Sequence, residues 1–278
     1  MLSNATAIRP AGAAVGAEIS GIDLSQPLAG NTLDTVRRAL ADHGVIFFRD
    51  QRLTPEQHIR LARQFGEINV NRFFSHAEGY PEVALVVKEP HQTKNIGGGW
   101  HTDHSYDQIP AMGSLLYALE TPPTGGDTLF ASMYAAYDAL SGGLKQTLSG
   151  LRAVHSSRHV FGAKRAGMED RFQNPDLATQ DAVHPVVITH PDSGRKALYV
   201  NPGFTLRFEG WTDEESKPLL SYLYQHAVRP EFVYRFAWQP GSLAFWDNRS
   251  TWHYAVNDYH GARRLMHRIT VEGCPLAA

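Results

Sequence analysis

Between Asn31 and His43 apolar residues recur three and four positions apart, with Leu33, Val36 and Leu40 on one face, and the pattern stops at Gly44. That period predicts an amphipathic helix ended by glycine. An unbroken apolar run follows, Val45-Ile46-Phe47-Phe48, which reads as a strand buried on both faces. Thr54-Pro55-Glu56-Gln57 comes next. Its hydroxyl, early proline and glutamine three residues on predict a capping box. The helix it opens carries Ile59, Ala62 and Phe65 inward and ends at Gly66.

Further along, the apolar segments shorten. Residues 114–119 and 128–131 read as strands, separated by the turn-forming Pro122-Pro123-Thr124-Gly125-Gly126. Short helices are expected at 133–140 and 144–148. The polar, irregular stretch 159–181 reads as a mobile loop over a site. Short strands are expected at 186–189, 197–200, 232–236, 242–245, 251–255 and 265–271, interrupted by a helix around 219–226. Thr212-Asp213-Glu214-Glu215 resembles a capping box for that helix, but Pro218 would then lie inside it; Ser216 as the cap removes the conflict. Many short strands with peripheral helices point to a mainly β fold, a double-stranded β-helix (jelly roll) with its site in the barrel mouth.

Composition narrows the partners. The 278 residues, 42% hydrophobic and 19% charged, suit one domain over 1–278 with a large core and exclude a disordered chain. A net charge of −2 gives no basic field, so nucleic acid is not expected. No apolar run approaches the ~20 residues of a membrane helix, and the N-terminus lacks the pattern of a signal peptide. With the single cysteine, Cys274, these features suit a cytoplasmic protein away from the membrane.

Chemistry enters at Trp100-His101-Thr102-Asp103. On a strand, positions i and i+2 share a face, so His101 and Asp103 would present an imidazole and a carboxylate together. A second imidazole from His253 completes a 2-His-1-carboxylate set, which suits Fe(II) and leaves positions for a cosubstrate and O₂. The turn-forming cluster Asn257-Asp258-Tyr259-His260-Gly261 lies midway between His253 and Arg264. If the flanking strands pair as a hairpin, His253 and Arg264 stand opposite each other. Arg268 lies four residues beyond Arg264, on the same face. Most of the 14 histidines need no metal; His43, His58 and His226 fall in helical contexts.

Several segments then match a known family in order and spacing. They are Gly16-Ala17-Glu18-Ile19, His43-Gly44-Val45-Ile46-Phe47-Phe48-Arg49, Trp100-His101-Thr102-Asp103, Gly125-Gly126-Asp127-Thr128, Trp246-Asp247-Asn248-Arg249 and Arg263-Arg264-Leu265-Met266-His267-Arg268. Across nearly its full length the chain resembles the taurine dioxygenase-like family of Fe(II)- and 2-oxoglutarate-dependent oxygenases. The resemblance implies iron on His101, Asp103 and His253, and the distal carboxylate of 2-oxoglutarate on Arg264 and Thr128. It also implies a small anionic substrate on Arg268, and it admits a homo-oligomer. Where the taurine-binding enzymes place a histidine and an asparagine, this chain has Asn71 and Gly97, and His104 replaces a residue that is often apolar. A substrate other than taurine is therefore expected. No carboxylate near Arg268 in the local sequence neutralises it, which favours an external anion.

Two other readings compete. His101-Thr102-Asp103-His104 resembles the end of a zinc-hydrolase motif, but that motif needs a histidine where Gly99 stands. A non-catalytic binding protein on the same scaffold would need none of the metal-ligating residues intact.

Overall fold

The computed structural model describes residues 6–162 and 171–278. Among them, nine strands form one sheet. Its order runs Ala7–Pro10, Ala17–Ser20, Val45–Phe48, Leu243–Asp247, Gly113–Glu120, Arg264–Val271, Tyr80–Lys88 and His76–Ala77, with Ile68–Asn69 paired to Arg264–Val271. Facing it is a sheet of Val233–Phe236, Thr128–Ser132 and Thr251–Ala255. Two smaller sheets combine Asp181–Pro185, Arg152–Ser156 and Thr205–Phe208, and Val187–Thr189 with Lys196–Leu198. The core is a double-stranded β-helix with helices outside it. No helix among the described residues is long and apolar enough to cross a membrane.

Alternation explains the unbroken apolar runs. Val45 and Phe47 point between the two sheets, where Phe47 stacks on Phe236 at 4.1 Å and meets Phe130 edge-on at 5.6 Å. Ile46 and Phe48 point outward beneath Val36, Leu40, Ile59 and Leu61 of the helices Gly30–His43 and Pro55–Arg63. A strand covered on both faces has no reason to alternate. The same parity governs Arg264–Val271: Ile269 and Val271 face the helices, while Arg264, Met266 and Arg268 are buried on the opposite side.

Local signals hold at the end of the first helix and the start of the second, which stops at Arg63 rather than at Gly66. Gly44 ends one with φ +74°, and Thr54 and Gln57 form the capping box of the other. Two expectations change. The helix Asp213–Ala227 is capped by Thr212 and Glu215, with Pro218 inside it. Ser216, expected as the cap, lies within the helix; its hydroxyl donates to the Thr212 carbonyl at 2.8 Å and accepts from the Phe208 N–H at 3.0 Å. The complete box outweighs the one helical bond that proline forfeits.

The final hairpin does not form. Thr251–Ala255 pairs with Thr128–Ser132, whereas Arg264–Val271 pairs with Gly113–Glu120 and Tyr80–Lys88. The turn-rich segment between them crosses from one sheet to the other. It is tied down where Asp258 Oδ1 accepts from the Gly126 N–H at 2.7 Å and Val256 N–H donates to Asp127 at 2.9 Å. His253 and Arg264 thus come from opposed sheets rather than adjacent strands. Of the expected loop at 159–181, residues 163–170 lie outside the described residues; Arg158–Gly162 forms a π-helical turn and Pro175–Leu177 a 3-10 turn.

Candidate metal and cosubstrate site

His101, Asp103 and His253 converge, their ligand atoms all within 4.8 Å of one another. The convergence does not come from a regular strand. His101 forms an isolated antiparallel bridge with His253, their backbones exchanging bonds of 3.2 and 2.9 Å, and the chain then turns at Asp103. Opposed positions on a narrow bridge bring side chains close, and the rings sit 4.1 Å apart. His101 Nε2 lies 3.7 Å from Asp103 Oδ1, and His253 Nε2 lies 3.9 Å from Asp103 Oδ2.

Surrounding groups aim these three. His101 Nδ1–H donates to the Gly99 carbonyl at 2.7 Å, which leaves Nε2 bare toward the cluster. Asp103 Oδ2 accepts from the Ser114 hydroxyl at 2.9 Å. Asn248 takes the Thr102 hydroxyl on its carbonyl at 2.5 Å and the Trp246 indole N–H on its side chain at 2.9 Å, fixing the turn beneath Asp103. Gly203 backs His101 so closely that an added Cβ would stand 2.7 Å from the His101 Cβ. Ser114, Asn248 and Gly203 were not legible as site residues, although Asn248 lies in a matched segment.

Burial pushes His101 and His253 down, and each also feels the other residues of the site, so both rings are neutral and able to ligate. Burial alone would raise the Asp103 carboxyl. Arg268, His253 and His101 outweigh it and hold Asp103 well below the usual carboxylate range. The result is two neutral imidazoles and one carboxylate, a donor set that fits Fe(II).

A cavity of about 650 Å³ opens on this cluster and is also lined by Thr128, Arg264 and Arg268. Arg264 is buried, with its guanidinium carbon 5.6 Å over the Trp238 ring, and its Nε and Nη2 have no hydrogen-bond partner among the described residues. Burial pushes its pKa down. Unpaired donors on a buried cation are costly, and a carboxylate entering the cavity would satisfy them. Trp238 N–H donates to the Thr128 hydroxyl at 2.9 Å, leaving that hydroxyl's own proton free for a second acceptor. Trp238 was not anticipated.

Arg268 corrects one expectation. Its Nη1 lies 3.3 Å from Asp103 Oδ1, so a carboxylate does face it, from the other motif rather than its own strand. Its Nε remains unpartnered among the described residues, and its guanidinium lies 4.6 Å over the Phe74 ring. Asn71, Gly97 and His104 all line the cavity. Asn71 and His104 are buried side by side at 3.4 Å. The Gly97 carbonyl accepts from the Ala255 N–H at 2.9 Å, and its φ of +76° favours glycine.

A second cluster, His190, Asp192 and Asp247, also brings its ligand atoms within 4.8 Å of one another. There Arg249 occupies the centre, donating to Asp247 and to Asp192 at 2.6 Å, while His190 contacts Asp247 at 3.0 Å. In that network the Arg249 guanidinium is shared by both carboxylates, and it braces the segment carrying Asn248.

Residues 7–270 match the family model described as "Taurine catabolism dioxygenase TauD, TfdA family". An alkylsulfatase of Acinetobacter baylyi is 37% identical over 266 residues, covering 93% of this chain and 82% of that protein. An alpha-ketoglutarate-dependent 2,4-dichlorophenoxyacetate dioxygenase of Cupriavidus pinatubonensis is 36% identical, covering 91% and 93%. The crystal structure of a taurine dioxygenase from Burkholderia xenovorans superposes with a TM-score of 0.81 at 37% identity, covering 96% and 89%. Taken with the convergent donor set and the jelly-roll core, these likenesses establish that the chain belongs to the TauD/TfdA family of dioxygenases.

Proposed function

We propose that this chain, acting as one domain, uses Fe(II), 2-oxoglutarate and O₂ to oxidise a C–H bond of a small organic anion, releasing succinate and CO₂. The carrying observation is that one cavity gathers His101, Asp103 and His253 beside two buried guanidinium groups. When bound, iron with its cosubstrate supplies the oxidising power for the C–H bond.

The chain's own residues do the rest. His101, Asp103 and His253 hold the metal, with Gly99 and Ser114 fixing the orientation of the first two. Arg264 and Thr128 hold the distal carboxylate of 2-oxoglutarate, since a guanidinium fork matches a carboxylate bidentately. Arg268 meets the substrate's anionic group and turns its oxidisable carbon toward the metal ligands. Phe74, Tyr106, Phe161 and Phe204 line the cavity as apolar walls and limit water at the reacting centre. Relatives named for sulfate esters, aryloxyacetates and taurine support a sulfonate, sulfate ester or carboxylate.

The test is succinate release from 2-oxoglutarate across matched anionic and neutral compounds, in the parent and in Arg268→Ala. Preference for anions that is lost in the variant supports the reading. Preference for the neutral members, or undiminished anion turnover in the variant, removes Arg268 from the substrate site.

A further inference from the structure

We infer that Lys88 is a positioning residue for the cosubstrate: it pins the crossover that joins the His253 strand to the Arg264 strand, and so sets where Arg264 stands relative to the metal ligands. This rests on the reading that Arg264 takes the distal carboxylate of 2-oxoglutarate.

Lys88 ends the strand Tyr80–Lys88, where it pairs with Arg264 on the neighbouring strand. Paired residues share one face of a sheet, so Lys88 lies on the inner face with Arg264, and it is only 2% exposed. A lysine buried this far ordinarily has a carboxylate beside it. Here the contacts of Nζ among the described residues are with neutral groups. It donates to Asn257 Oδ1 at 2.8 Å and to the Tyr259 carbonyl at 3.4 Å, and it sits 4.1 Å over the Tyr259 ring. Burial and then the Arg171 charge push its pKa down, with Asp258 opposing them. A cation so placed adds little to stability, because its desolvation offsets what neutral acceptors return. What its three contacts do supply is a fixed point on the crossover.

Both residues that Lys88 holds reach the cosubstrate end. Asn257 lines the cavity, and its Nδ2–H donates to the Thr93 carbonyl at 2.8 Å, which turns Oδ1 toward Lys88. Tyr259 is buried beside Gly126, where an added Cβ would stand 3.2 Å from Tyr259 Cδ1 and 3.4 Å from Arg264 Cδ. The Tyr259 ring and the Arg264 stem thus pack against the same glycine, and Trp238 lies under the guanidinium. Lys88 caps the face of that ring. Removing it loosens the wedge that seats Arg264.

The probes are 2-oxoglutarate and 2-oxoadipate, its homologue with one more methylene, titrated calorimetrically into protein loaded anaerobically with Fe(II). A parent that holds Arg264 in one place should favour 2-oxoglutarate. Lys88→Met keeps the stem and removes the charge with its donors. It should weaken 2-oxoglutarate about fivefold, the worth of about one hydrogen bond, and weaken 2-oxoadipate less, so the preference narrows. Fe(II) affinity, titrated separately, should not change. Asn257→Ala leaves Lys88 in place and should narrow the preference in the same way, and it decides the matter if Lys88→Met does not fold. The double variant should be no worse than Lys88→Met alone. A purely structural lysine would lower the melting temperature and leave the preference intact. That result, equal weakening of both diacids, additive losses, or a parent without preference would overturn the inference. Arg264→Lys, titrated alongside, tests the reading beneath it. Unchanged 2-oxoglutarate affinity in Arg264→Lys overturns both, whereas a loss there with none in Lys88→Met overturns the inference alone.

Discussion

Arg268 Nη1 stands 3.3 Å from Asp103 Oδ1, so the cation assigned to the substrate also touches the carboxylate assigned to the metal. Arg268 and the two imidazoles hold that carboxylate ionised against its burial. In the metal-free protein the sign follows directly. A carboxyl whose pKa is depressed on folding contributes stability above its unfolded value, near ~3.9, and loses it as pH falls through the folded value. Metal-free Arg268→Met should therefore be less stable than the parent at neutral pH. The gap should shrink as pH falls below about 4, in thermal melts taken across that range. A gap that stayed constant across that range would mean that Arg268 stabilises by packing on Phe74 rather than by its charge.

Arg264 should behave differently, because its free donors face a cosubstrate rather than a protein carboxylate. Arg264→Lys should raise the dissociation constant for 2-oxoglutarate about tenfold or more, since an ammonium cannot reproduce the planar fork. Iron affinity should change little. Calorimetric titration of each ligand separates the two, and an unchanged 2-oxoglutarate constant would assign Arg264 to structure.

Two glycines near the metal ligands should respond oppositely to alanine. At Gly203 a Cβ would collide with the His101 Cβ at 2.7 Å, while at Gly99 nothing lies within 4 Å. Gly203→Ala should cost about 1–3 kcal/mol of stability, as overpacking does, and displace His101 enough to weaken metal binding. Gly99→Ala should be nearly neutral in both. Equal behaviour of the two variants in melting and metal titration would contradict the close approach.

How far the sequence was legible divides along physical lines. Caps and periods that depend only on neighbours in the chain, such as Thr54 with Gln57 and the Leu33–Val36–Leu40 face, were readable and formed. The strand Tyr80–Lys88 was not, because Pro81 near its start argues against a strand. The donor set was legible as residue types, but its geometry was not. A regular strand and a hairpin were expected, and an isolated bridge with a crossover between sheets achieves the same convergence. Asp103 as the partner of Arg268 was hidden because it is remote in sequence. Ser114, Gly203 and Trp238 carry no motif; only packing reveals them.

The most direct measurement is anaerobic Fe(II) titration with parallel succinate detection, in the parent and in His101→Ala, Asp103→Ala and His253→Ala. The parent should bind one iron per chain and release succinate from 2-oxoglutarate, and each variant should lose both while keeping its circular dichroism spectrum. A folded variant that binds iron like the parent and still releases succinate would contradict the assignment of these three residues to the metal.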